Sequence, residues 1–268
     1  MIGSLRLMRQ RWLNLAVLVA NSSLGFAFGT VVALELYNLG LVAAGVLYDR
    51  GPRWYPDRVE FTASGQEIAW FGGILLVLVL GWALASIYRG GTRYDGTRMA
   101  VLWVMLHCFR QGLMPLARLP FDANSDPSRA LTAIDMPESL TWVVGVLGVA
   151  GLLGLGLFAA PALLRFAPED PSTKQGRIAF IGLVGIAAWL VGAFLALPLL
   201  LPGGVSSALE LLPWSGVFLV FTLVASPEPR VIYAVRESAQ LSWGTLVFLG
   251  VFIAAVRVFL ADGLAISL

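Results

Sequence analysis

Long apolar runs separated by short polar stretches fill the chain, and most of the runs have the length of a membrane crossing. A helix rises about 1.5 Å per residue and the hydrocarbon core of a bilayer is about 30 Å thick, so roughly 20 apolar residues make one span. The first run, residues 12–48, holds no Lys or Arg. It is far too long for one crossing or for the apolar region of a signal peptide. It predicts two elements, joined between Asn21-Ser22-Ser23 and Gly29 or at Asn38-Leu39-Gly40, the second carrying Glu35 as a short or re-entrant piece.

Residues 48–66 are polar, contain two prolines and offer Trp54 and Tyr55 as interfacial anchors, which predicts a loop with a short strand near 58–62. Further spans are predicted at 68–88, 99–116, 140–166, 178–201 and 241–260, with a weaker segment at 206–225 that includes Glu210 and Pro213. Between them lie a basic turn (89–98), a loop with Asp122, Asp126 and Asp135 (117–138), and a charged linker (167–174). Gly145, Gly148, Gly151 and Gly154 form a drifting small-residue stripe, which lets another helix approach closely. The expected fold is all-α: a polytopic transmembrane bundle of six to seven membrane helices. Residues 1–166 form its core and following helix and 167–268 its C-terminal helices, within one membrane domain.

Composition agrees. Of 268 residues, 58% are hydrophobic and 13% charged, against about 45–50% and 25% in soluble domains. Mean hydropathy is +0.82, and the length excludes a large extramembrane catalytic domain. The basic N-terminal segment (Arg6, Arg9, Arg11) and the basic turn at 89–98 favour a cytoplasmic N-terminus, in a multi-pass protein of the cytoplasmic (inner) membrane. The cations are scattered singly, so no nucleic-acid footprint is present. With one histidine, His107, and one cysteine, Cys108, neither a disulfide within the chain nor an ordinary zinc, haem or iron–sulfur site is expected. No cofactor or metal is predicted.

The chemistry must come from the few polar residues inside the apolar runs, since a charge at a helix centre costs about 2.5–3.5 kcal/mol on insertion scales. Glu35 is the first, and it needs water or a partner such as an arginine or hydroxyl of a neighbouring helix. His107 and Arg110 lie three apart, on one helical face. They suit a polar binding site or proton relay. Equally, His107 is a packed core residue, and Arg110 snorkels to an interface or pairs with Glu35 or Asp126. Cys108 reads as a small buried apolar side chain.

The segment from Leu34-Glu35 through Asn38 to Gly45 resembles the zinc-binding helix of the site-2-protease-like (M50) intramembrane metallopeptidases, in which two histidines flank a catalytic glutamate as HExxH. Trp70-Phe71-Gly72-Gly73 is similar to that family's small-residue entry into its second core helix. Leu119-Pro120 followed by Asp126 is similar to its Pro-then-Asp segment, where the Asp is the third zinc ligand. The resemblance covers roughly residues 15–131 and implies a three-helix core with Glu35 and Asp126 as candidate catalytic residues, within about 10 Å of each other.

The sequence departs from that pattern where metal binding is decided: Leu34 and Asn38 occupy the histidine positions. Leu34 cannot bind zinc, and a catalytic zinc site keeps three protein ligands beside an open water position. The resemblance therefore implies a non-catalytic, pseudo-protease-like core that binds or scaffolds membrane partners in the lipid bilayer. The alternatives are a small transporter or subunit of an energy-transducing complex, with Glu35, His107 and Arg110 along a polar path, and, third, an active M50-type metallopeptidase with rearranged ligands.

Overall fold

The computed structural model describes residues 2–56, 58–63, 69–90, 95–122, 125–167, 173–200, 219 and 240–266; the side chains of residues 2–11, 126 and 198–200 lie outside that description. The segment 206–225 singled out in the sequence also lies outside it, apart from the buried Leu219. Six of the described helices are long and apolar enough to cross a membrane, so the chain is a multi-pass, all-α membrane protein.

Its axis is helix α1 (Ile2–Leu47), 46 residues without interruption. At about 1.5 Å per residue α1 is about 69 Å long, more than twice the hydrocarbon thickness. The expected break into two elements, with Glu35 on a re-entrant piece, is not what the chain does. The polar and small residues that look like joints are docking points. Asn21 donates to the Gln240 carbonyl and accepts from the Ser242 amide. Ser22 donates to the Val184 carbonyl across 2.6 Å, and Ser23 bonds back to the Val19 carbonyl within its own helix. Gly29 and Gly40 are sites of closest approach by neighbouring backbones. Since the side chains of Asn21, Ser22 and Ser23 are bonded to a neighbour or to the helix itself, none of the three forces the backbone to unwind.

Helix α2 (Trp70–Gly90) runs antiparallel to α1, with Gly40 seated on Gly72 and Tyr37 on Gly73. Helix α3 (Gly96–Arg118) returns parallel to α1, with Gly25 against Ala100 and Gly29 against Trp103 and His107. Its first turn is capped by Asp95, whose side chain accepts from the Arg98 amide. The predicted 117–138 loop contains a short helix, α4 (Asp126–Ala133), opened by Pro127 just inside its start, where the missing N–H is not needed. Ser128 ties α4 to the end of α3 through the Leu119 and Asp122 carbonyls.

Helix α5 (Glu138–Leu164) descends against α3. Here the glycine stripe is consumed inside the chain: Gly145, Gly148 and Gly151 meet Pro120, Ala117 and Leu113, while Gly154 has open space beside it. Next, α6 (Lys174–Ile181) passes through a π-helical turn (Gly182–Ile186) into α7 (Ala187–Leu200), which packs along α1. Helix α8 (Trp243–Leu260) follows the same direction as α1, from Asn21 at its start to Phe28 against Phe248.

A small antiparallel sheet covers the C-terminal end of α1. Strand β1 (Pro52–Trp54) is central, flanked by β2 (Val59–Phe61) and by β3 (Leu264–Ala265), which arrives after α8. The turn out of α1 uses Asp49 and Gly51, both with φ near +55° (54° and 57°). A side chain at Gly51 would also run into Thr62. The short strand expected near 58–62 is β2.

The α1–α2 contact makes a specific demand. Gly40→Ala drives a Cβ into the Gly72 carbonyl, so it is expected to lower stability by about 1–3 kcal/mol in thermal unfolding of the detergent-solubilised protein. Gly154→Ala, with nothing within 4 Å, is expected to be neutral or stabilising by up to about 1 kcal/mol.

Candidate functional site

Glu35 lies on α1 below the sheet and is 5% exposed. Its Oε2 accepts the indole N–H of Trp54 at 3.1 Å. Trp54 is held by pairing with Val59 on one side and Leu264 on the other. The sheet in turn rests on α1 where Gly45 meets Phe61 and Pro52. The carboxylate is thus roofed by a lid drawn from two distant parts of the chain. Sequence alone gives Trp54 as an interfacial anchor; its bond to Glu35 depends on β1 folding back over α1.

The residues flanking Glu35 are packed rather than presented. Leu34 belongs to an apolar cluster with Leu24, Val31, Ala196 and Leu249, and Asn38 is buried at 2% exposure. Asp126 opens α4, a separate element that packs against α2; its side chain, and so its separation from the Glu35 carboxylate, lies outside the described residues. Among the described residues, no three His, Cys, Asp or Glu are placed to hold a metal.

His107 is fully buried on the face of α3 turned to α1. Its ring stands edge-on to Phe26 with centroids 4.4 Å apart, beside Trp103 at 6.0 Å. A Cβ at Gly29 would come within 2.8 Å of the imidazole, so the ring fills a slot that only glycine leaves open. The Thr30 hydroxyl, which donates to the Phe26 carbonyl at 3.0 Å, is 3.4 Å from His107 Nε2. That is a long, weak contact for a buried hydrogen bond. Of the two readings of His107, packing is the one this environment favours.

One turn closer to the start of α3, Trp103 Nε1 donates to Ser22 Oγ at 2.9 Å, and Ser22 Oγ donates onward to the Val184 carbonyl. This relay joins α3, α1 and the π-helical turn. A π turn re-aims backbone groups relative to an α-helix, and the Val184 carbonyl there takes its bond from another helix. The sequence gives no signal for this link beyond a serine in an apolar run.

Arg110 is 3% exposed, which excludes snorkelling. Among the described residues the expected ion pair with Glu35 is not formed either, and the alternative partner, the Asp126 side chain, lies outside that description. Its guanidinium donates to Gln111 Oε1 at 2.8 Å and lies 4.0 Å from Met114 Sδ. Among the described residues both partners are neutral and both come from its own helix. Cys108 is fully buried in the cluster with Tyr37 and Val77, as a small apolar side chain.

These polar residues do not converge on one centre. Glu35 faces the sheet, His107 faces Phe26 and Thr30, and Arg110 is held by neighbours on α3. No protein-family model, curated protein or solved structure matches the chain.

A buried cation with neutral partners carries an uncompensated desolvation penalty. Arg110→Met keeps the apolar stem and removes the charge, so it is expected to raise the unfolding temperature of the purified protein. A lowered temperature would instead show that another group balances the charge.

Proposed function

We propose that the chain is a non-catalytic, pseudo-protease-like protein of the cytoplasmic membrane that works by binding or scaffolding other membrane components. The observation that carries this reading is the placement of Glu35. The carboxylate that would activate water in an M50-like site is instead hydrogen-bonded to Trp54 and roofed by the sheet, with Leu34 in an apolar cluster and Asn38 buried beside it. Glu35 serves as the anchor of the extramembrane sheet.

Helix α8 supports a binding role. Only 11% of Trp243–Leu260 is buried within the chain, against 67% of Gly96–Arg118. Trp243, Val247, Phe248, Val251 and Phe259 are exposed along it. In a membrane such a face meets lipid or another helix, and helix association there is driven by packing and not by the hydrophobic effect.

Charge supports the orientation. The end of the bundle holding the start of α1 also holds Arg89, Arg98, Arg165, Lys174 and Arg177, with Asp95 as an acid. The opposite end is balanced: Arg50, Arg53, Arg58, Arg118, Arg129 and Arg257 lie there with Asp49, Glu60, Asp122, Asp135, Glu138 and Asp262. Positive charge collects on the cytoplasmic side, so the N-terminus of α1 is cytoplasmic and the sheet lies on the far side.

The test is co-purification in mild detergent with zinc measured in the same sample. The expected result is defined partner proteins with zinc far below one per chain, and an unchanged partner set in Glu35→Gln. Stoichiometric zinc that is lost in Glu35→Gln, or a chain that travels with no partner, would overturn the proposal.

A further inference from the structure

Beside the cytoplasmic half of α1 lies a lateral groove that the scaffold reading does not use. It is open along its side and has a volume of about 550 Å³, within the range of about 300–1,000 Å³ typical of small-ligand sites. One wall is Trp12, Ala16, Val19 and Ala20 of α1; the facing wall is Leu183, Val191 and Leu195 of the α6–α7 helix, with Leu246 of α8. Ser23 is the polar residue in the lining, and its hydroxyl is already given to the Val19 carbonyl.

We propose that this groove holds one acyl chain of an anionic phospholipid from the cytoplasmic leaflet. Its dimensions fit: from Trp12 to Leu24 the helix rises about 18 Å, close to the roughly 15 Å of hydrocarbon in one leaflet. Trp12 is 66% exposed at its lower end, where an indole marks the headgroup level. Positions 11 and 9, both arginine in the sequence, precede Trp12 on the same helix, and α6 opens with the exposed Lys174, nine positions before Leu183. An apolar slot whose walls belong to helices that begin with basic residues is complementary to a lipid with an apolar chain and a negative headgroup. Basic pockets between helices at the cytoplasmic surface are suited to such headgroups. The inference does not depend on the role of Glu35, which lies higher on α1.

The experiment is native mass spectrometry of the full chain released from nanodiscs that contain phosphatidylglycerol and phosphatidylcholine with identical acyl chains. Wild type is expected to retain one phosphatidylglycerol per chain in preference to phosphatidylcholine. Ala16→Phe fills the groove from an exposed position and is expected to abolish retention. Arg11→Gln leaves the groove open and is expected to cut the preference by about fivefold. Lys174→Gln, a surface change, is expected to act in the same direction. Equal retention of the two lipids, or unchanged retention in Ala16→Phe, would overturn the proposal. Conversion of a dimer to a monomer by Ala16→Phe would also overturn it, by assigning the groove to a second copy of the chain.

Discussion

The close approach of other helices to α1 is the constraint on which the rest of the molecule depends. In a bilayer, water cannot satisfy a polar group or drive two apolar helices together, so packing and internal hydrogen bonds must do both. Helix α1 answers with small residues at the contacts: Gly25 and Gly29 for α3, Gly40 for α2, and Ser22 for the π turn before α7. Partner helices supply the complementary recess from their side, as Gly72 and Gly73 do on α2 and Gly192 does on α7. Because these contacts are distributed along one uninterrupted helix, a bulkier residue at any of them displaces an entire neighbour.

That arrangement explains what was legible in the sequence and what was not. The spans were legible because apolar length is a local property, and α2, α3, α5, α6–α7 and α8 lie where the runs place them. The continuity of α1 was not. A polar or small residue within an apolar run has the same appearance whether it breaks a helix or docks one, and the partner that decides lies far away in sequence: Gln240 and Ser242 for Asn21, Val184 for Ser22. Strands β1 and β3 were invisible for a related reason. Each is two or three residues long, and their pairing joins residue 53 to residue 265.

The intramembrane polar residues show the same division. Their positions stand out at once, because an ionisable group in an apolar run is costly. Their partners do not follow from sequence. Glu35 finds an indole on a strand, and His107 sits in a slot made by Gly29. Arg110 is the exception that periodicity invites one to pair with an acid, yet it is held by Gln111 and Met114 on its own helix. A buried charge with neutral partners is a poor stabilising device.

The two ends of α1 then carry different kinds of work. At one end, the sheet holds the Glu35 carboxylate through the Trp54 indole, and β3 brings the segment after α8 to the same place. This ties the least buried helix of the bundle to the most central one without requiring α8 to pack tightly along its length. At the other end, α1 and α6 begin with basic residues in the sequence, and an apolar groove opens between α1 and α7. A helix more than twice the thickness of the hydrocarbon core has length to spare. Here the small sheet rests on the C-terminal part of α1, where Gly45 meets Phe61 and Pro52, so part of that length is used in packing within the chain.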